Sequence, residues 1–94
     1  MQPLRIAIPI YPQVDLIDVT VTFDALSRIA DYWIERTLEL HVVGPTLDPV
    51  LTGQNLPIVP TKTFDDYEGI TLDALIVPGA YQPLSATKLD PFMS

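Results

Sequence analysis

The chain has 94 residues, 48% of them hydrophobic, and twelve acidic side chains against five lysines and arginines give a net charge of −7. This composition allows one packed domain over residues 1–94 and excludes disorder, while the acidic balance argues against nucleic acid and anionic membranes as partners. There is no cysteine, no leader pattern at the start and no apolar run near the roughly 20 residues that span a bilayer, so a cytoplasmic location is expected.

The chain is predicted to begin with a strand and a helix. Residues 4–11 form an almost continuous apolar run, which predicts a strand buried on both faces, with Pro9 tolerated only near its end or at a bulge. Asp15 is predicted to cap the helix that follows, because its carboxylate can accept a free backbone N–H. The helix itself is predicted from apolar residues at helical spacing, namely Leu16, Val19, Phe23, Leu26, Ala30 and Trp33.

A second strand and a hairpin follow. Residues 38–43 alternate between apolar and polar and end in Gly44 and Pro45, which predicts a strand and its stop. Residues 50–60 contain two short apolar runs around a Gly-Gln-Asn sequence, which predicts a small hairpin.

The last third of the chain is predicted to hold one turn of helix and one core strand. Thr63 is expected to cap a helical turn over residues 64–67. Residues 72–77 are expected to form a buried strand that ends at Pro78 and Gly79, and residues 88–93 to begin a helix.

This order predicts an α/β fold with a mainly parallel sheet. A parallel core of only three strands leaves both edges open, and one helix cannot cover both faces. The pattern therefore predicts an incomplete domain or one that needs a partner.

The segment Tyr-Pro-Gln-Val-Asp-Leu-Ile-Asp-Val at residues 11–19 resembles the opening strand-to-helix motif of the ThiJ/PfpI superfamily, the class I glutamine amidotransferase-like proteins. The hairpin at residues 50–60, the pair Thr63-Phe64 and residues 73–79 continue the resemblance in the same order, and the isonitrile hydratase (cyclohexyl-isocyanide hydratase) type is the most similar. The resemblance implies a flavodoxin-like fold, of which this chain is the N-terminal half, and a homodimer. It implies no cofactor.

The resemblance also implies site residues. Asp18 matches the acidic residue on the first helix, and the N–H groups of Gly79 and Ala80 match the loop that binds an oxyanion. The family's nucleophilic cysteine has no counterpart among the 94 residues, and Ala80 replaces the second glycine of the family's Pro-Gly-Gly turn.

The residues themselves support the same site without deciding it. Asp18 follows a strand at its carboxyl end, where a carboxylate can shuttle a proton, but it can equally be a solvated helix residue. A tight turn at Gly79 and Ala80 exposes N–H groups that can stabilise an oxyanion, or it simply reverses the chain. Tyr11 and Tyr81 line the pocket or are half-buried loop aromatics.

Other polar residues are expected to be structural, and no metal site is expected. His41 stands alone on an alternating strand, and Asp65 and Asp66 lack the spaced oxygen ligands of a Ca²⁺ loop. Glycines are too scattered for a phosphate-binding loop.

Three functional hypotheses remain open. In the first, the full-length protein hydrates an isonitrile to an N-substituted formamide. In the second, the chain is the ligand-sensing domain of an AraC-type transcriptional regulator, which binds a small molecule and does not itself touch nucleic acid. In the third, it is a non-catalytic fragment, so whether the chain is an enzyme stays undecided.

Overall fold

The computed structural model describes residues 2–33 and 37–81. Over these residues the elements follow in the order β1 (Leu4–Pro9), α1 (Leu16–Trp33), β2 (Leu38–Gly44), β3 (Val50–Leu51), β4 (Pro57–Ile58), β5 (Lys62–Thr63), a 3₁₀ helix (Phe64–Tyr67) and β6 (Ala74–Leu75). None of the helices described combines the length and the apolar character that a membrane span requires. The helix start expected at residues 88–93 lies outside the described residues.

The main sheet has the strand order β5-β2-β1-β6, and each neighbouring pair is parallel. In its register, Ile8 of β1 lies opposite Val42 of β2, and Ile6 lies opposite Ala74 of β6. The strands β3 and β4 form a separate antiparallel hairpin. The predicted α/β class with a mainly parallel sheet and a small hairpin is confirmed.

Strand β1 occupies the centre because both of its faces are apolar. Ile6, Ala7 and Ile8 are successive buried residues whose side chains alternate between the two faces of the sheet. Pro9, which has no N–H to donate, is the last residue of the strand, and the ladder resumes with the Ile10 N–H donating to the Val43 carbonyl at 2.8 Å. The strand therefore ends two residues earlier than predicted.

Helix α1 covers one face of the sheet. Val19 is buried in a core cluster with Ile8, Ile10 and Val42, and Phe23 packs against this cluster one turn later. This confirms the predicted apolar stripe over the described side chains. The solvent side of the helix also carries large apolar residues, namely Ile17, Val21, Ile29 and Tyr32.

Strand β6 differs from its prediction. Only Ala74 and Leu75 pair with β1, and the side chains of Leu75 and Val77 are 58% and 64% exposed. Ile76 packs against the core cluster that includes Val19, whereas the side chains of its two neighbours alternate to the other face and stay exposed. The prediction of a strand buried on both faces is therefore wrong for this segment.

Strand β5 was not predicted from the sequence, because a strand of two polar residues shows no apolar pattern. Thr63 nevertheless caps the following 3₁₀ helix as predicted. Its Oγ1 accepts the Asp66 N–H at 3.3 Å, and Asp66 Oδ2 accepts the Thr63 N–H at 2.9 Å.

Candidate functional site

The candidate site lies at the carboxyl ends of β1 and β6. After β1 the chain runs through α1 to β2 on one side, while β6 lies on the other side of β1. Open α/β sheets bind ligands outside the carboxyl ends of their strands, so the edge where β1 and β6 end is the expected place for a site. The fold thus brings the turn after β1 and the turn after β6 to one place.

Asp18 is the third residue of α1 and belongs to its first turn. Its Oδ2 accepts the backbone N–H of Gly79 at 3.1 Å. The side chain is exposed, and its second carboxylate oxygen has no partner among the described residues. An acidic residue in the first turn of a helix is stabilising, because the first N–H groups of a helix carry partial positive charge.

The turn after β6 is held by backbone bonds. The Asp15 N–H donates to the Gly79 carbonyl at 2.8 Å, and the Tyr81 N–H donates to the Gln13 carbonyl at 2.9 Å, on either side of a Val14–Ala80 bridge. Within the described chain no acceptor is found for the Ala80 N–H. Of the two expected oxyanion donors, the N–H of Gly79 is therefore already used by Asp18, and only that of Ala80 stays available.

Tyr11 joins the same site from the turn after β1. Its hydroxyl donates to the Pro78 carbonyl at 2.7 Å, and its ring is half-buried against the core. A Cβ added at Gly79 would lie 3.2 Å from Asp18 Oδ2, so glycine permits the close approach of the carboxylate. The structure thus brings together four of the five residues that the sequence singled out, namely Asp18, Gly79, Ala80 and Tyr11, while the side chain of Tyr81 lies beside Gly53 of the hairpin.

A fifth residue, Gln54, was missed. Its Oε1 accepts the Leu16 N–H at 3.0 Å, and its Nε2 donates to Asp15 Oδ1 at 2.7 Å. Asp15 does precede the helix as predicted, and its carbonyl accepts the Val19 N–H at 3.4 Å. The predicted capping bond of its carboxylate is not formed, because that carboxylate bonds the Gln54 amide and the amide accepts the helix N–H. The Gly-Gln-Asn turn was visible in the sequence, but its docking on α1 was not.

An apolar groove of about 530 Å³ adjoins Tyr11. Its walls come from the ends of β1 and β2, the hairpin, the 3₁₀ helix and the segment after β6, and include Pro9, Tyr11, Pro45, Leu51, Phe64 and Val77. A groove of this size and character can hold a small apolar group.

The polar residues His41 and Tyr67 lie away from this site. His41 Nδ1 lies 2.9 Å from Thr61 Oγ1. Burial raises the pKa of the Tyr67 phenol, with the charges of Glu39 and Asp66 adding to the effect. Across residues 2–33 and 37–81, no three His, Cys, Asp or Glu side chains are grouped closely enough to hold a metal ion.

Comparison with known proteins gives the family. No family model matches the sequence. The chain is 34% identical over 76 residues to an isonitrile hydratase of Pseudomonas putida, an alignment that covers 81% of this chain but only 30% of that relative. Among solved structures, a ThiJ/PfpI family protein of Pseudomonas syringae superposes with a TM-score of 0.66 at 28% identity, over 85% of this chain and 30% of the other.

An AraC family transcriptional regulator of Pseudomonas putida shares the fold, with a TM-score of 0.68 at 22% identity over 97% of this chain and 56% of the regulator. The chain thus spans about a third to a half of the proteins it matches. Its sequence and its parallel sheet together show that the chain belongs to the ThiJ/PfpI superfamily and corresponds to the N-terminal part of that family's domain.

Proposed function

We propose that this segment supplies the acid–base carboxylate and part of the pocket of an enzyme that hydrates an isonitrile to an N-substituted formamide. The observation that carries the proposal is the 3.1 Å bond between Asp18 Oδ2 and the Gly79 N–H, at the edge where this fold binds ligands. The similarity to an isonitrile hydratase supports the choice of reaction.

The reaction is the addition of water to the terminal carbon of R–N≡C, which gives R–NH–CHO. The carbon gains a hydrogen and an oxygen, and the nitrogen gains a hydrogen as the C–OH group becomes a carbonyl. A carboxyl group that gives a proton to carbon and takes one from the attacking nucleophile would serve both steps. Gly79 would fix one oxygen of Asp18 and leave the other for the reactants, while the Ala80 N–H would meet developing negative charge.

The chain contains no cysteine. In this proposal the cysteine that the family resemblance implies comes from sequence outside these 94 residues. Its sulfur would bond to the terminal carbon as that carbon takes a proton, and water would then displace the sulfur, which releases the thiol unchanged and leaves the formamide. The segment therefore supplies one half of a site, and its activity depends on the other half.

A graft tests the proposal. This chain would replace the matching part of the Pseudomonas putida isonitrile hydratase, and formamide production from cyclohexyl isocyanide would be measured. We expect turnover, and a loss of about 10²–10⁴-fold in kcat for Asp18→Asn. Asp24→Asn is the matched control, because Asp24 lies on the same helix but bonds Arg28 at 2.9 Å.

Circular dichroism would first establish that each graft is folded. A folded graft without turnover would contradict the proposed reaction. A folded graft in which Asp18→Asn and Asp24→Asn are equally active would contradict the role of Asp18.

Ligand sensing is the second candidate, and the apolar groove beside Tyr11 favours it. A sensing segment would bind a small apolar molecule without turning it over. Calorimetry of the folded chain with cyclohexyl isocyanide and with its formamide would reveal this, because binding in the absence of turnover by the graft supports sensing. Neither binding nor turnover would support the third hypothesis, a non-catalytic fragment.

We further propose a cytoplasmic homodimer. The exposed apolar residues Ile17, Val21, Ile29 and Tyr32 along α1 support self-association, because water-facing apolar stripes are typical of interfaces. Sedimentation velocity is expected to show a dimer that Val21→Lys converts to monomer. A wild-type chain that is monomeric at all concentrations would contradict this.

A further inference from the structure

Helix α1 begins with a cap that comes from a distant part of the chain. The first helical N–H, that of Leu16, is accepted by the side chain of Gln54, 38 residues further along. The same amide donates from its nitrogen to Asp15 Oδ1 at 2.7 Å. A side-chain amide presents an acceptor and donors on one planar group, so Gln54 can make both bonds at once.

The hairpin tip that carries Gln54 is held against the turn after β1 by hydrogen bonds. The Gln13 N–H donates to the Leu51 carbonyl at 3.0 Å, and the Gly53 N–H donates to the Val14 carbonyl at 3.0 Å. Thr52 is fully buried, and its hydroxyl closes the tip by donating to the Leu56 carbonyl at 2.7 Å. Gln54 is therefore presented to the helix from a fixed position.

The first turn of α1 links Gln54 to the candidate site. Asp18 lies two residues after Leu16, and the turn that it contacts is tied to Asp15 by the bond from the Asp15 N–H to the Gly79 carbonyl. A rotation of the first helical turn would move Asp18 Oδ2 relative to the Gly79 N–H. Both ends of the Asp18–Gly79 bond thus depend on the segment that Gln54 holds.

We infer that Gln54 is a positioning residue, which fixes the first turn of α1 so that the carboxylate of Asp18 meets the N–H of Gly79. This geometric role stands on the contacts alone. Its consequence for turnover rests on the proposed function.

Amide hydrogen exchange in the ¹⁵N-labelled chain tests the geometric role. Gln54→Ala is expected to speed exchange at Leu16 and Gly79 by about fivefold or more, the effect of losing one hydrogen bond. Amides between β1 and β2, such as that of Ile10, which donates to the Val43 carbonyl at 2.8 Å, should keep their rates. Glu68→Ala, at an exposed position whose side chain has no partner among the described residues, is the control and should change neither set.

Two results would overturn the inference. One is faster exchange at Leu16 with no change at Gly79, which would make Gln54 a local cap and no more. The other is an equal change at all amides, which would indicate a general loss of stability.

Gln54→Glu is the second variant. It keeps an acceptor for the Leu16 N–H but sets a carboxylate against Asp15, so Leu16 should stay protected while exchange at Gly79 rises less than in Gln54→Ala. Equal exchange at Gly79 in Gln54→Glu and Gln54→Ala would contradict the two-bond role.

Activity of the graft separates this inference from the proposed function. Gln54→Ala should lower kcat in the presence of Asp18 but add little to Asp18→Asn, because both changes remove the same arrangement. If the exchange results hold and no graft turns over isonitrile, the positioning role stands and the proposed reaction fails.

Discussion

Replacing Gly53 with alanine should force the hairpin tip away from the turn after β6. A Cβ at position 53 would lie 2.4 Å from the Cβ of Tyr81, and 2.8 and 2.9 Å from Cδ2 and Cγ of its ring. Carbon atoms pack best at about 3.5–4.0 Å, so the contact is far too short. The Cβ of Tyr81 is attached directly to the backbone and cannot rotate away, so the two segments must separate.

The expected loss of folding stability has two contributions. Overfilling a packed contact costs about 1–3 kcal/mol, and separation would also loosen the 2.9 Å bond from the Tyr81 N–H to the Gln13 carbonyl, worth about 0.5–1.5 kcal/mol. We therefore expect Gly53→Ala to lower the free energy of unfolding by about 2–4 kcal/mol. Gly53 does not have a positive φ, so backbone strain adds nothing.

Urea unfolding of single and double variants would separate the contact from other effects. In a Tyr81→Gly background, where no Cβ remains, Gly53→Ala should cost little. In a Tyr81→Ala background the closest atom remains, so most of the cost should persist. An equal cost of Gly53→Ala in the wild-type and Tyr81→Gly backgrounds would refute the reasoning.

Three further changes have defined outcomes. Ile8→Ala, at the buried centre of the sheet, should lower the free energy of unfolding in urea by about 2–5 kcal/mol, while Leu47→Ala, at an exposed loop position, should change it by less than about 0.5 kcal/mol. Tyr11→Phe should cost about 0.5–1.5 kcal/mol in the same assay, because it removes the hydroxyl that donates to the Pro78 carbonyl. The backbone N–H of Thr63 lowers the pKa of Asp66, so this stabilisation is complete above the unfolded pKa and is lost as the pH falls through the folded one. Asp66→Asn should therefore make stability fall less steeply with acid below about pH 4, and an unchanged acid profile would contradict this.

The parts of the fold that depend on local apolar pattern could be predicted from the sequence. The stripe that includes Val19 and Phe23 predicted α1, and the apolar run around Ile8 predicted the central strand, because burial selects those residues directly. The meeting of Asp18 and Gly79 was also predictable, since each follows a strand and parallel strands end at one edge.

Features that depend on how distant segments dock could not be predicted. Gln54 lies in an ordinary turn sequence, and only the seating of the hairpin brings its amide to Leu16. The exposure of Leu75 and Val77 depends on what covers the second face of the sheet, which the apolar run does not reveal.

The turn after β6 is tied to the turn after β1 by main-chain groups. The N–H groups of Asp15 and Tyr81 donate to carbonyls, and no side chain takes part in either bond. Every amino acid except proline has such an N–H. The side chains at these positions can therefore change, proline excepted, without loss of these two bonds. The sequence of such a backbone framework can diverge widely. Its pocket can then bind a new substrate or a new signal molecule while the backbone geometry is kept.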